Sequence, residues 1–178
     1  MAMRLLIHYV GDLHQPLHCS SRVNGQYPAG DRGGNSFRLP AADQKELHAF
    51  WDSVALEFAD SNGNEYGIYG YAKLPFSASD WTKYGNIAQR YRDTYTVSDS
   101  VAKDLDVMHW AADDFKITHD FLYTGIKENE LLPQNYVDEA LKIAEKQVLI
   151  GGLRLANLLK SLNLSAKSVD QETPKFLF

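Results

Sequence analysis

Apolar residues recur at helical spacing along most of this sequence. Leu5, Leu6, Tyr9, Val10 and Leu13 form a stripe that predicts a helix over residues 2–15. Pro16 cannot continue it, because the ring pushes Gln15 toward extended geometry. Leu47, Phe50, Trp51, Val54 and Phe58 recur on one side of residues 42–60, which predicts a second helix. Further helices are expected over 79–95, 99–124 and 134–162. In the last, Val137, Leu141, Ala144, Val148, Leu155, Leu158 and Leu162 keep one face for about seven turns. Gly151-Gly152 inside it would each cost about 1 kcal/mol relative to alanine, which implies an element packed closely against that backbone. Residues 19–40 read as a loop centred on Gly30-Asp31-Arg32-Gly33-Gly34-Asn35. Residues 61–78, with Asn62-Gly63-Asn64 and the breaker Pro75, read as a second irregular stretch. No alternating strand pattern competes, so the expected class is all-α.

Composition narrows the function more than the fold. The 178 residues suit one domain, and 44% of them are apolar, enough to build a sizeable core. No run of apolar residues is long enough to span a membrane. The net charge of −5 argues against a basic groove that grips nucleic acid by counterion release. A nucleic-acid role would have to come through a local cationic site such as a metal centre. The single cysteine, Cys19, rules out an internal disulfide framework.

Candidate chemistry concentrates in His8-Tyr9-Val10-Gly11-Asp12-Leu13-His14-Gln15-Pro16-Leu17-His18. His8 and Asp12, four apart, project from one helical face, and imidazole with carboxylate is a donor set that zinc accepts. His18 follows Pro16, where the turning chain brings it back toward the same region. His48 and Asp52 repeat the spacing. Five candidate ligands, His8, Asp12, His18, His48 and Asp52, exceed the needs of one tetrahedral zinc and imply part of a multinuclear site. His14 lies off the ligand face and is expected to be structural or solvated. Cys19 is expected to be a small buried thiol, and His109 and His119 satisfied structural histidines. The Gly33-Gly34-Asn35 loop lacks a phosphate-cradle pattern; the Asn35 amide is a candidate substrate contact. Tyr66, Tyr69, Tyr71, Phe76 and Trp81 could stack bases, although aromatics at this density more often belong to a core.

The three segments, His8 to His18, Gly30 to Asn35 and Leu47-His48-Ala49-Phe50-Trp51-Asp52, together resemble the zinc-dependent, single-strand-specific class I nuclease and 3′-nucleotidase family. His109-Trp110-Ala111 and Gly151-Gly152-Leu153-Arg154 are similar to its last two helices. The resemblance implies a multi-helix bundle of the phospholipase C/nuclease type, with long loops around a metal cleft. It also implies three zinc ions: His18, His48 and Asp52 on one, His8 and Asp12 on a neighbouring pair, with Asp12 bridging in the catalytic centre. The related bacterial phospholipase C typically carries His-x-x-x-Glu where this chain has His48 and Asp52, which favours the nuclease branch. The family's other ligands precede the segment seen here, its disulfides are absent, and Glu46 stands where asparagine is usual.

The chain is therefore expected to be the C-terminal two-thirds of a single nuclease domain, incomplete at its N-terminus, with residues 164–178 peripheral. The implied activity is hydrolysis of single-stranded DNA and RNA to 5′-nucleotides, with 3′-nucleotidase action, through a metal-activated water. The alternatives are a zinc-dependent phospholipase C and a non-catalytic zinc-binding fragment. The missing N-terminal segment would supply the remaining ligands. The family is mostly secreted, and Asn163-Leu164-Ser165 is a glycosylation sequon that matters only on such a route.

Overall fold

A computed structural model describes residues 2–40, 45–53 and 77–162. Six α-helices lie among them: α1 (Ala2–Asp12), α2 (Leu47–Asp52), α3 (Ala78–Thr94), α4 (Asp99–Lys103), α5 (Val107–Ile117) and α6 (Gln134–Ser161). A 3₁₀ turn (Pro16–His18) follows α1, and a π turn (Thr118–Leu122) extends α5. Among the described residues the strand-like pairing is a single antiparallel bridge between Arg38 and Glu46, so the all-α class holds. The expected extension of α2 through residues 54–60, the tyrosines 66, 69 and 71 with Phe76, and the segment 164–178 fall outside the described residues.

Two helix boundaries depart from the periodicity. The first helix ends at Asp12 rather than at residue 15, and Leu13 to Gln15 continue as turns. Gln15 must be extended ahead of Pro16, with φ −104° and ψ 109°, so the helical ladder unwinds before it. The predicted helix over 99–124 is broken at residues 104–106 and changes pitch after Ile117. Acidic side chains make the break: Asp104 accepts from the Asp106 amide at 3.0 Å, and Asp106 caps α5 through the Met108 amide at 2.9 Å. Trp110 then donates its indole N–H to the Asp104 carbonyl at 2.9 Å, which fixes the corner.

The core forms where α2, the loop before it and the start of α6 meet. Leu17, Phe37, Leu47, Phe50, Trp51, Leu122, Tyr136 and Ala140 are all buried there. A helix of six residues has no stability of its own, so α2 exists because Leu47, Phe50 and Trp51 are withdrawn from water. The Trp51 indole donates to Tyr136 Oη at 3.2 Å, and Tyr136 passes a hydrogen bond to the Leu122 carbonyl at 2.7 Å. These bonds satisfy the polar atoms that two buried aromatics bring with them. The opposite side of α2, carrying His48 and Asp52, faces outward.

Helix α6 packs against α1, α3 and α4. Its Arg154, 2% exposed, donates to the Val101 carbonyl, to Asp113 and to His14 Nε2, each at 3.1 Å, and lies over the Trp110 ring. Because guanidinium only donates, His14 Nε2 is the acceptor, and His14 Nδ1 donates to the Val10 carbonyl at 2.7 Å. His14 is thus a neutral structural histidine, and burial lowers its pKa accordingly. The close approach expected at the glycine pair is its ring: a Cβ on Gly151 would meet His14 Cγ at 3.1 Å. Gly152 meets nothing within 4 Å, so only one of the two glycines is explained by packing. The stripe on α1 divides as well. Val10 is buried, whereas Leu5 and Tyr9 are 42% and 56% exposed, as is Ile7 outside the stripe at 45%.

The glycine pair should separate on substitution. Gly151→Ala pushes a methyl into a ring pinned by Arg154 and Trp110, and should lower stability by about 1–2 kcal/mol. Gly152→Ala gains helix propensity without a clash and should raise it by about 0.5–1 kcal/mol. Urea denaturation of both variants checks the contrast.

Candidate metal centre

Helix α1 places His8 and Asp12 on one face, with His8 Nε2 3.2 Å from Asp12 Oδ2. Asp12 Oδ1 is 3.7 Å from His18 Nδ1, and His18 Nε2 is 3.2 Å from Asp52 Oδ1. Asp52 Oδ2 in turn lies 3.4 Å from His48 Nε2, and the His18 and His48 rings stack with centroids 5.0 Å apart. All five predicted ligands therefore form one continuous chain of contacts. Within it, single donor atoms of His18, His48 and Asp52 lie within 4.8 Å of one another, a spacing at which they could share a metal ion.

Local structure explains the convergence. Gln15 takes part twice: its Oε1 accepts from the Leu17 amide at 2.6 Å, capping the 3₁₀ turn that carries His18, and its Nε2 donates to Asp52 at 2.8 Å. Sequence reasoning missed this residue; the signal available was a glutamine directly before the proline that ends α1. The glycine loop acts through its backbone. His48 Nδ1 donates to the Gly33 carbonyl at 2.7 Å, which fixes the tautomer and leaves Nε2 as the lone-pair nitrogen beside Asp52. Gly33 has φ +63°, and a Cβ there would lie 2.4 Å from the Leu17 carbonyl oxygen, so only glycine lets the loop approach so closely.

The charges are mutually supporting. A hydrogen bond to Asp52 raises the His18 pKa above the ordinary imidazole value, against the opposing effect of burial. Burial alone would raise the Asp52 carboxyl, but hydrogen bonds from His18 and Gln15, with His48 nearby, hold it below the usual range. Two imidazoles and one carboxylate with oriented nitrogens suit a divalent cation of the zinc type.

The sequence model of the S1/P1 nuclease family matches residues 1–163. The chain belongs to the S1/P1 nuclease family. It is 27% identical over 162 residues to Endonuclease 2 of Arabidopsis thaliana, covering 90% of this chain and 51% of that protein. Endonuclease 1 of Arabidopsis thaliana is 28% identical, with 89% and 48% covered. Nuclease S1 of Aspergillus oryzae is 24% identical, with 87% and 52% covered. The chain thus spans about half the length of the curated relatives it matches.

Within this S1/P1 nuclease chain the remaining candidates occupy varied settings. The Asn35 amide donates to the Arg32 carbonyl at 2.8 Å, which helps to hold the loop beside the histidines. His109 and His119 are hydrogen-bonded to Asp104 and Asp120, in keeping with satisfied histidines, and both lie on the solvent side. Trp81 is 64% exposed rather than core. Cys19 is half-buried, and burial with Asp114 beside it pushes its thiol up to about 11. Asp114 itself is fully buried and accepts from Gln147, while its Oδ2 lacks a hydrogen-bond partner. Burial pushes this carboxyl up to about 7. No helix among the described residues is long and apolar enough to cross a membrane.

Asp114 gives a pH signature. Between the ordinary carboxyl value of 3.8 and about 7, the folded state holds a proton that the unfolded state has released. Stability therefore falls as pH rises through that window and stays reduced above it. Asp114→Asn should be more stable than the parent near pH 8, by at most ~4 kcal/mol, and nearly equal to it near pH 3.5. Denaturant titrations at the two pH values check this, and a difference independent of pH would contradict it.

Proposed function

We propose that this chain carries the zinc-binding half of an enzyme that hydrolyses single-stranded DNA and RNA to 5′-nucleotides and removes 3′-phosphates. The observation that carries the reading is the convergence of His18, His48 and Asp52 within 4.8 Å, continued by Asp12 and His8. His18, His48 and Asp52 would hold one zinc, and His8 and Asp12 would offer ligands to neighbouring zinc ions. Zinc in such a site supplies Lewis acidity, lowering the pKa of a water toward neutrality and neutralising charge on phosphate oxygens. The Gly33 carbonyl keeps the His48 Nε2 lone pair free, and Gln15 orients Asp52. Both spare the site reorganisation when the substrate arrives.

His8 and Asp12 have side chains 66% and 37% exposed, and Leu5 and Ile7 beside them leave apolar surface open. That face suits a further protein segment, outside this chain, that brings the remaining ligands. A secretory route belongs to the same proposal and rests on the resemblance alone. The same exposure favours one second reading, a chain that holds a single zinc without turnover. The nuclease family match argues against a phospholipase C.

Zinc-supplemented chain incubated with 5′-labelled single-stranded and duplex DNA tests the activity. Release of 5′-nucleotides from the single strand, with duplex spared, is expected. One tightly held zinc without turnover establishes the fragment reading, and phosphatidylcholine hydrolysis with intact oligonucleotides overturns the nuclease one. His48→Ala should retain well under half of the parent's zinc by elemental analysis and melt several degrees lower when both are zinc-loaded. Unchanged zinc and melting temperature would remove His48 from the ligand set.

A further inference from the structure

A cavity of about 740 Å³ opens beside the metal centre, lined by Tyr9, Asp12, His18, Ser21, Arg32, Gly33 and His48 among others. Its volume is in the range of small-ligand sites. Arg32 is the lone lysine or arginine on that wall. Its guanidinium takes no partner among the described residues, although the chain carries a net charge of −5 and more acidic than basic groups. Its backbone is equally unusual. Arg32 has φ +60°, followed by Gly33 at +63° and Gly34 at +79°. A left-handed arginine is strained where glycine would not be.

The surroundings hold that conformation in place. Ser21 Oγ accepts from the Arg32 and Gly33 amides at 3.1 and 3.4 Å, and Asn35 donates its side-chain amide to the Arg32 carbonyl at 2.8 Å. Buried Asp31 accepts from the Arg22 amide at 3.0 Å, the Gly34 amide at 3.1 Å and the Tyr123 hydroxyl at 2.7 Å, which anchors the loop from beneath. The fold therefore spends several hydrogen bonds on holding an unpaired cation next to the metal ligands. Tyr9, which lines the same cavity, is 56% exposed and one residue along α1 from His8.

We infer that Arg32 and Tyr9 form a substrate subsite, in which Arg32 binds a backbone phosphate flanking the scissile one and Tyr9 stacks the adjoining base. This assignment rests on the nuclease reading and adds to it the residues that grip the strand beyond the metal. A planar guanidinium suits a phosphodiester, and a partly exposed aromatic ring accepts any base that is not already stacked in a duplex. In a chain of negative net charge, local cations at the cavity must overcome the repulsion of a polyanion.

Binding of fluorescein-labelled oligo(dT) to the zinc-loaded chain, read by anisotropy across a salt series, tests the subsite without requiring turnover. Arg32→Gln should weaken binding about ten-fold and reduce the slope of log K against log salt by about 0.7, the value of one phosphate contact on a single strand. Arg32→Gly should lose the same affinity while melting no lower than the parent, because it relieves the left-handed strain. Tyr9→Ala should weaken oligo(dT) but leave an abasic deoxyribose-phosphate chain unaffected. A parent chain that binds no single strand overturns the nuclease reading and the subsite together. A parent that binds, with Arg32→Gln matching it in affinity and salt slope, overturns the subsite alone.

Discussion

The six residues of α2 depend on burial for their existence, and the candidate metal centre depends on α2. Leu47, Phe50 and Trp51 lie 0%, 1% and 2% exposed in the core, and helical geometry then turns His48 and Asp52 outward four residues apart. Each buried aromatic or leucine side chain contributes about 1.5–3 kcal/mol, far more than a helix this short gains from its own hydrogen bonds. The chemistry-bearing face is thus held by the apolar face behind it. Loosening Trp51, whose indole is tied to Tyr136 on α6, would release two of the three converging donors at once.

A second support reaches the same donors from the loop between α1 and α2. The left-handed run through Arg32, Gly33 and Gly34 brings a carbonyl to His48 Nδ1 and packs against the Leu17 carbonyl of the 3₁₀ turn that bears His18. Asp31 anchors this run by accepting from its own Gly34 amide and from two other parts of the chain, the Arg22 amide and Tyr123 just beyond the π turn. The loop orients two histidines and presents a cation from one backbone conformation. Tertiary contacts on both sides of α2 therefore hold the candidate donors in a fixed arrangement.

Membership of the S1/P1 nuclease family and coverage of about half of each relative's length are compatible with this architecture. Around His18, His48 and Asp52 the donor atoms converge within 4.8 Å. The face around His8 and Asp12 stays open, and α1 exposes apolar residues beside it.

Sequence alone determined the class of fold and the family, and it picked out five side chains that the fold brings together. Helical periodicity and a spacing of four report directly which side chains share a face. It also located a close contact at the glycine pair, although it could not tell that Gly151 carries it, against His14, while Gly152 does not. Only the tertiary structure decided the rest, because it turns on backbone groups and on partners distant along the chain. The Gly33 carbonyl has no side chain to betray it, and Gln15 meets Asp52 only after the loop has folded back. The break in 99–124 arises from two aspartates competing for amides that periodicity assigns to a helix. The Asn35 amide helps to shape the turn that leaves the Arg32 side chain on the cavity wall, a placement that no periodicity announces.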